Sequence, residues 1–535
     1  MIVRNWAVAL LAASAMATVA AAPANAVTHK TKHSKHRVVK KAVPDTALRD
    51  ALAAQQLKID QLSAQIAALQ SAPPPAQVDS PAAQAAIAQA ALLKTQVDTL
   101  QSALDSTNKK VAANAASFGA APTLKGSGFS FKPNGEIQFD AGYVSNPNHN
   151  LTNVPNSATG RIGFNERSRR LLLGAAGDLP GDFKYAIQFD FAQSAVNYED
   201  IVLSYEPKGK PFTVTVGYFY PYSNLDNLTS NRFVSVVERT ALSDAFGETR
   251  RLGIGLQYTM GDFRVQGGFF GGNINNANYD NNDYQATGRV VYAPTAFGGQ
   301  LHLAANAQYR HFRTSALGFQ YRSRPETQIT DVRFVDTAGI AAESDAIFGV
   351  EALGIFGPLH LQGEAQVLRV KGFRPGTAIN NGIDPGQALL GSTLAGNPTL
   401  FGGYAEAGYW LTGETRGYKN FKIDRTKIIN GFDRGGWGGV QLVGRFEYLN
   451  LADNIAGVNS GTQVINGVLN GGSQTSYIAA LNWWPIDYVR FTGQYMHEEI
   501  QGGPRAGVIV PLSTLPIYQR KYGLDAFVVR AQLDF

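Results

Sequence analysis

Residues 522–535 read YGLDAFVVRAQLDF, and at period two they separate into two faces. Phe527, Val529, Ala531, Leu533 and Phe535 fall on one side; Val528, Arg530, Gln532 and Asp534 fall on the other. Successive side chains of a strand point to opposite faces, so this is a strand with one apolar and one wet side. Any half-buried sheet could contain one such segment, and the fold is decided by how often the pattern recurs. Phe183, Tyr185, Ile187, Phe189 and Phe191 alternate with Lys184, Ala186, Gln188 and Asp190. Leu252, Ile254, Leu256 and Tyr258 alternate with Arg251, Gly253, Gly255 and Gln257, and Val440, Leu442, Gly444, Phe446 and Tyr448 with Gln441, Arg445 and Glu447.

Sixteen such segments can be marked, near 134–143, 162–174, 183–192, 199–206, 212–218, 250–258, 263–271, 286–294, 299–310, 346–355, 358–370, 401–412, 437–449, 474–484, 487–498 and 524–535. An even number suits a bacterial outer-membrane barrel. Short turns (178–182, 258–262, 356–359, 484–487) interleave with long loops (311–345, 371–400, 499–523), which predicts two different rims. Aromatic residues near the strand ends of the apolar face, among them Phe183, Tyr258, Phe263, Tyr309, Tyr448 and Phe535, suit interfacial girdles better than the core of a soluble sandwich or β-helix. In lipid every backbone amide needs an internal partner, which a closed sheet supplies. The expected fold is therefore all-β and transmembrane: a 16-stranded antiparallel outer-membrane β-barrel over 134–535, behind an N-terminal α-helical coiled-coil prefix. The terminal Phe535, where the closing strand meets the membrane boundary, is expected to serve as an assembly signal.

Composition agrees, with 56 Gly, 10% aromatic and only 16% charged residues. The absence of Cys excludes disulfides and thiolate metal sites. The 8 His lack metalloenzyme spacing and there is no GxSxG, so no enzyme, metal or cofactor is expected. Lys30, Lys32, Lys35, Arg37, Lys40 and Lys41 form one acid-free run, and Arg4 lies in a leader. Setting these seven aside turns the formal net charge of +6 into about −1, which speaks against nucleic-acid binding.

Residues 1–26 carry a charged start, an apolar stretch and Ala24-Asn25-Ala26, the pattern of a secretory signal peptide. Residues 27–47 form a basic tail, expected in the periplasm, whose run at 28–41 could bind peptidoglycan. Residues 48–111 contain two heptad runs, Leu48 to Leu69 and Leu93 to Val111, separated by a Pro-rich hinge at 72–81. A linker, 112–133, follows.

If apolar side chains face lipid, their alternates line a lumen. That register assigns Lys184, Arg251, Arg264, Arg289, Arg310, Arg445, Arg490 and Arg530 to it, against Asp190, Glu364, Glu406, Glu447 and Asp534. A modest cationic bias favours anions if these groups reach a constriction; alternatively they pair across strands.

The stretch GYFYPYSNLDNLTSNRFVSVVERTALSDAFGETRRLGIG, residues 217–255, resembles the phosphate-selective porin O and P family at Pro221, Ser223, Leu228, Thr229, Ser230, Glu238, Arg239, Phe246, Arg250, Arg251 and Gly253. Residues 402–419 and 437–453, with LNWWP at 481–485, resemble the same family's later motifs. The resemblance implies a homotrimeric outer-membrane porin whose inward loop, here 218–249, narrows the pore for small solutes. Arg232 and Arg239 are then candidate constriction residues, with Arg250 and Arg251 at the loop's exit, and an ion pair from Arg239 to neighbouring Glu238 or another loop carboxylate is the alternative. The family pattern carries a Lys before its Pro-Phe-Ser turn. Here Tyr220 stands there and Tyr222 replaces the Phe, so a general or weakly anion-preferring channel is expected rather than a strictly phosphate-selective one. A sugar- or organic-anion channel, with Tyr218, Tyr220 and Tyr222 as stacking surfaces, and a barrel that only anchors a cell-wall tether remain the alternatives.

Overall fold

The computed structural model describes residues 123–535 apart from 127, 148–161, 194, 248, 277–282, 313–318, 373–392, 395, 456–459 and 462–463, together with 60, 61, 63, 64, 88, 91–99, 101, 102 and 105. The chain divides into two compact units, Met1–Ala113 and Asn114–Phe535. In the first, every described residue is helical. The expected leader 1–26, the basic tail 27–47 and the expected pairing of the heptads within 48–111 lie outside the described residues.

In the second unit, alternation has its expected result. The strands are β1 (Phe129–Val144), β2 (Gly163–Leu179), β3 (Phe183–Asp190), β4 (Asn197–Tyr205), β5 (Phe212–Phe219), β6 (Arg251–Met260), β7 (Phe263–Phe270), β8 (Tyr284–Tyr292), β9 (Gly299–His311), β10 (Ile340–Phe356), β11 (Leu359–Gly372), β12 (Thr399–Trp410), β13 (Gly439–Asn454), β14 (Val468–Ile486), β15 (Val489–Gln501) and β16 (Lys521–Asp534). Each is antiparallel to the next, and β16 returns to β1 with Asp534 opposite Glu136 and Ala526 opposite Val144. The result is a closed 16-stranded barrel with no open edge. β1 begins at Phe129 rather than at residue 134, with Leu124–Gly126 folded back on it, so the linker is shorter than the sequence suggests. Pro133 and Gly135 interrupt the apolar alternation there and conceal the strand's first turn of pattern.

The outward face is apolar. Phe139, Tyr143, Ile254, Leu256, Phe269, Phe348, Leu442 and Phe527 are all exposed, a continuous hydrophobic surface that water does not tolerate and hydrocarbon does. Aromatic pairs mark the ends of the band: Phe263 stacks on Tyr292 at 4.4 Å near the short-turn rim, and Tyr284 on His311 at 4.9 Å near the long-loop rim. Among the described residues, no helix is long and apolar enough to cross a membrane.

One connection departs from the expected rims. The segment 411–438, between β12 and β13, lies on the short-turn rim yet is long, and it folds inward. Its Ile423 is buried with Leu225, Leu353 and Ile355. Its Arg416 contacts His360 and lies 3.1 Å from Glu406 on the wall.

Candidate functional site

A segment that leaves the sheet to cross a barrel's interior must find partners for its backbone elsewhere, because buried peptide groups are costly unpaired. The β5–β6 connection, residues 220–250, meets this requirement through the wall. Among its described residues it contains two short α-helices, α1 (Leu225–Leu228) and α2 (Ala241–Ala245), with a 3-10 turn at Asn231–Phe233 and irregular chain between and after them. Carbonyls of that chain accept from inward side chains: Val234 from Arg490 at 2.5 Å, Ser235 from Asn482 at 2.7 Å, Val237 from Arg530, Glu238 from Arg445 at 3.3 Å and Phe246 from Arg310 at 2.5 Å. Its amides donate to wall acceptors: Asp226 to Glu364 at 2.9 Å, Val237 to Gln494 at 2.8 Å and Ala241 to Glu447 at 2.7 Å.

Most of the predicted lumen arginines are thereby accounted for, and as scaffolding. Arg310, Arg445, Arg490 and Arg530 hold the loop. Three of them also pair with carboxylates: Arg310 with Asp345 at 2.6 Å, Arg445 with Glu406 at 2.7 Å and Arg530 with Asp140 at 2.6 Å. Arg289 is enclosed by Glu351, Gln266 and His302. Arg264 donates to the Asn420 carbonyl and lies 4.2 Å over Phe421 of the inward short-turn segment. Lys184 pairs with Glu206 near the rim at 2.5 Å. Of the two arginines at the loop exit, Arg251 turns to the Gly271 carbonyl and borders neither of the lumen cavities described next.

Two lumen cavities meet at the loop. One, of about 600 Å³, opens on the short-turn side and is bordered by Lys132, Arg232, Arg250 and Arg425 among others. The other, of about 180 Å³, lies on the long-loop side against Arg324, Glu326 and Asp244. Four residues border both and so mark the narrows between them: Arg170, Tyr220, Asn227 and Arg239.

Two of these four were named from the sequence: Arg239 as a constriction candidate and Tyr220 as a stacking surface. The alternative for Arg239, an ion pair with Glu238 or another loop carboxylate, does not form among the described residues. Arg239 donates to the carbonyls of Asp226, Asn227 and Thr229, at 3.0, 3.2 and 2.7 Å, and meets no carboxylate among the described residues. Glu238 instead accepts both arms of Arg169, at 2.7 and 2.8 Å, and Arg530 at 2.7 Å. Burial pushes the Glu238 carboxyl up, but those two guanidiniums outweigh it and hold it below the usual carboxylate range. Arg232 borders the larger cavity 3.5 Å from Glu136. Arg250 contacts Glu199, bonds Asp200 at 2.7 Å and stacks 4.4 Å from the Tyr220 ring. Tyr218 and Tyr222 turn away: Tyr218 donates to Asn273 at 2.6 Å, and Tyr222 packs where a Cβ on Gly255 would stand.

Period-two reading missed Arg169, Arg170, Glu199 and Asp200. On β2 the register passes from Gln138 opposite Arg170 to Phe139 opposite Ser168, leaving Arg169 as an extra residue. On β4 it passes from Ile187 opposite Ile201 to Phe189 opposite Tyr198, so Gln188 faces both Glu199 and Asp200. Each is a β-bulge, and each turns two consecutive charged side chains into the lumen at one level. The signal in the sequence was the charged doublet itself, Arg-Arg and Glu-Asp, inside an otherwise alternating strand. Arg170 forms ion pairs with Asp190 and Glu199 at 3.8 and 3.7 Å, beyond hydrogen-bond distance, and its buried Nε has no hydrogen-bond partner among the described residues.

Comparison with known proteins accords with this geometry. A family model described as phosphate-selective porin O and P matches residues 131–505. An uncharacterized protein of Caulobacter vibrioides is 31% identical over 500 residues, covering 91% of this chain and 90% of its own. Porin O of Pseudomonas aeruginosa is 24% identical over 408 residues, 69% of this chain and 82% of the relative. Among solved structures, OprB of Pseudomonas putida superposes with a TM-score of 0.45 at 10% identity, covering 76% of this chain and 94% of that one. With its barrel matched almost throughout, the chain belongs to the phosphate-selective porin O and P family of outer-membrane channels.

Proposed function

We propose that the barrel is a passive diffusion pore with a weak preference for small anions, phosphate-like ones included, and that the preference is set at Arg170 and Arg239. The observation that carries this reading is the combination of position and pairing. Both guanidiniums border both cavities; Arg239 meets no carboxylate among the described residues, and Asp190 and Glu199 stand 3.8 and 3.7 Å from Arg170, at ion-pair but not hydrogen-bond distance, whereas Arg250 and Arg530 are hydrogen-bonded to carboxylates. A guanidinium presents a planar fork suited to phosphate or carboxylate oxygens. Arg239 is fixed by three carbonyls, which orient it without cancelling its charge. Arg232 and Arg250 border the larger cavity beside Glu136, Glu199 and Asp200, so they lend weaker attraction.

Single-channel reversal potentials across a salt gradient test the proposal, and an anion-to-cation permeability ratio at or below one would overturn it. A second reading, preference for planar organic anions, is favoured by Tyr220, Phe233 and Tyr488 around the larger cavity. Currents carried by benzoate compared with phosphate separate the two. In this reading the short-turn rim and the prefix face the periplasm, the family's trimer gathers three copies of residues 28–41, and that basic cluster attracts the carboxylates of peptidoglycan.

A further inference from the structure

Above the narrows, the described part of the β9–β10 connection, residues 319–339, reaches back into the lumen and presses Glu326 against the wall. Glu326 is 3% exposed and has a backbone φ of 40°, a left-handed conformation that a non-glycine residue adopts only under constraint. The wall it meets is unusual. Glu351, Glu364, Tyr404, Glu447, Ser476 and Glu498 stand directly opposite one another in sequence across β10, β11, β12, β13, β14 and β15. This row accepts the amides of the constriction loop at Glu364 and Glu447, and it ends at Glu498.

At that end, one amide group serves two carboxylates. Gln474 Nε2 lies 3.0 Å from Glu498 Oε1 and 3.5 Å from Glu326 Oε1, and it also reaches Ser476. The second oxygens of Glu326 and Glu498 are buried and have no hydrogen-bond partner among the described residues. The charged groups facing Glu326 are Glu498 on β15, Glu447 and Arg445 on β13, and Asp244 on α2. Of these Arg445 is positive, and it is committed to Glu406 and Glu447. Arg169, Arg170, Arg239 and Arg324 also border the small cavity that Glu326 lines, where Arg169, Arg170 and Arg324 pair with Glu238, with Asp190 and Glu199, and with Asp331, and Arg239 is held by carbonyls. Beyond Glu498 stands Tyr522 on β16, with Arg505 past it. Ser476 Oγ also donates to Glu498 Oε1 at 3.4 Å, but two buried carboxylates served only by neutral donors cannot both remain ionised without a counter-charge. Among the described residues no group of three or more metal-ligating side chains gathers, so a proton is the simplest one.

We propose that a proton held by the Glu326–Glu498 pair latches the β9–β10 loop to the barrel wall, and that rising pH releases the loop and opens the long-loop mouth of the pore. Burial, then the charges of Glu447 and Glu498, pushes the Glu326 carboxyl well above the usual carboxylate range. Because the docked loop favours the protonated acid, docking is complete below the ordinary carboxylate pKa of about 4.3 and is lost as pH climbs through the raised value. Release would reach the constriction, since Asp244 of α2 accepts the Arg324 amide at 2.8 Å and the Arg333 guanidinium at 2.7 Å from the same loop. The latch operates whatever solute passes.

The chain has no cysteine, so single thiols report cleanly. Thr327 is 1% exposed and Leu512 is 96% exposed. Labelling of Thr327→Cys by a membrane-impermeant thiol reagent, divided by labelling of Leu512→Cys at the same pH, removes the reagent's own pH dependence. The ratio is expected to rise several-fold between pH 5 and pH 9, and to stay low and flat when Glu326→Gln is added. A ratio that does not rise, or that rises equally with Glu326→Gln, overturns the latch. Glu498→Gln, which removes the repulsion from the wall side, is expected to suppress the rise as well. Single-channel conductance of the cysteine-free chain and of Glu498→Gln at the two pH values gives the same decision without labelling. Equal pH dependence in both rejects the proposal.

Discussion

Gly135 and Phe535 exchange two backbone hydrogen bonds of 3.1 Å each, and the Phe535 ring lies 2.6 Å from where a Cβ on Gly135 would stand. The last residue is thus seated on the first strand of the barrel, and a glycine makes room for it. Deleting Phe535, or making Gly135→Val, is expected to lower the yield of the heat-modifiable barrel several-fold. The channels that do form should keep their conductance. Gel mobility of unboiled against boiled membranes measures the yield, and equal yields from all three chains would remove Phe535 from any role in closure.

Arg170→Ala and Arg239→Ala should each reduce anion preference. At about 4 Å in water a unit charge contributes about 1 kcal/mol, which corresponds to a fall in the anion-to-cation permeability ratio of about fivefold at most. Arg251→Ala, at a side chain bordering neither cavity, is the matched control and should leave the reversal potential where it was.

Tyr220 is expected to make the pore's selectivity depend on alkaline pH. Burial alone would raise its phenol, but Arg239 and Arg250 more than offset burial and leave it below the ordinary value of about 10. As pH rises through that lowered value, a phenolate appears between the two guanidiniums and cancels part of their attraction. Anion preference should therefore decline between pH 7 and pH 10 in the native pore and hold steady in Tyr220→Phe, as read from reversal potentials.

Arg530→Met tests the docking of the constriction loop. It removes the donor to the Val237 carbonyl and leaves Asp140 and Glu238 with a lost partner. Breaking one side of a buried ion pair costs about 3–5 kcal/mol, which the closed sheet can absorb while the loop cannot. A barrel that still shifts on heating, with larger and noisier single-channel currents, is the expected result. Unaltered currents would mean the loop is held by its other contacts alone.

The proposed tether makes a separate claim. Protein lacking residues 28–41 should lose co-sedimentation with purified cell-wall sacculi at low salt, and the full chain should lose it at high salt, because the attraction is between exposed charges. Equal sedimentation of the two chains at low salt would leave the basic run without a wall-binding role.

The strand count and closure could be read from alternation alone, because lipid on one side and water on the other impose a period of two on every strand that crosses. That period puts Arg530 and Arg445 on the inward face, where both bond the crossing loop. What they do there was not legible, since their partners, the carbonyls of Val237 and Glu238, lie some two or three hundred residues away in sequence. The bulges at Arg169 and at Glu199–Asp200 escaped for the opposite reason: they are local violations of the rule that found everything else. The inward segment 411–438 escaped because its pattern is neither strand nor polar loop, and its burial depends on Ile423 meeting Leu225 from another part of the chain.

The crossing loop also has a mechanical meaning. A hollow tube of sheet bends easily out of round, yet this one carries an internal brace bonded to β9, β11, β13, β14, β15 and β16 and, through Glu238 and Arg169, to β2, an arc that runs about half-way round the barrel. Ovalising the tube in either direction would stretch or compress charge-assisted hydrogen bonds that are short and directional. The bore at its narrowest level is therefore fixed by the lengths of arginine side chains, and lateral pressure from the surrounding lipid has little purchase on it.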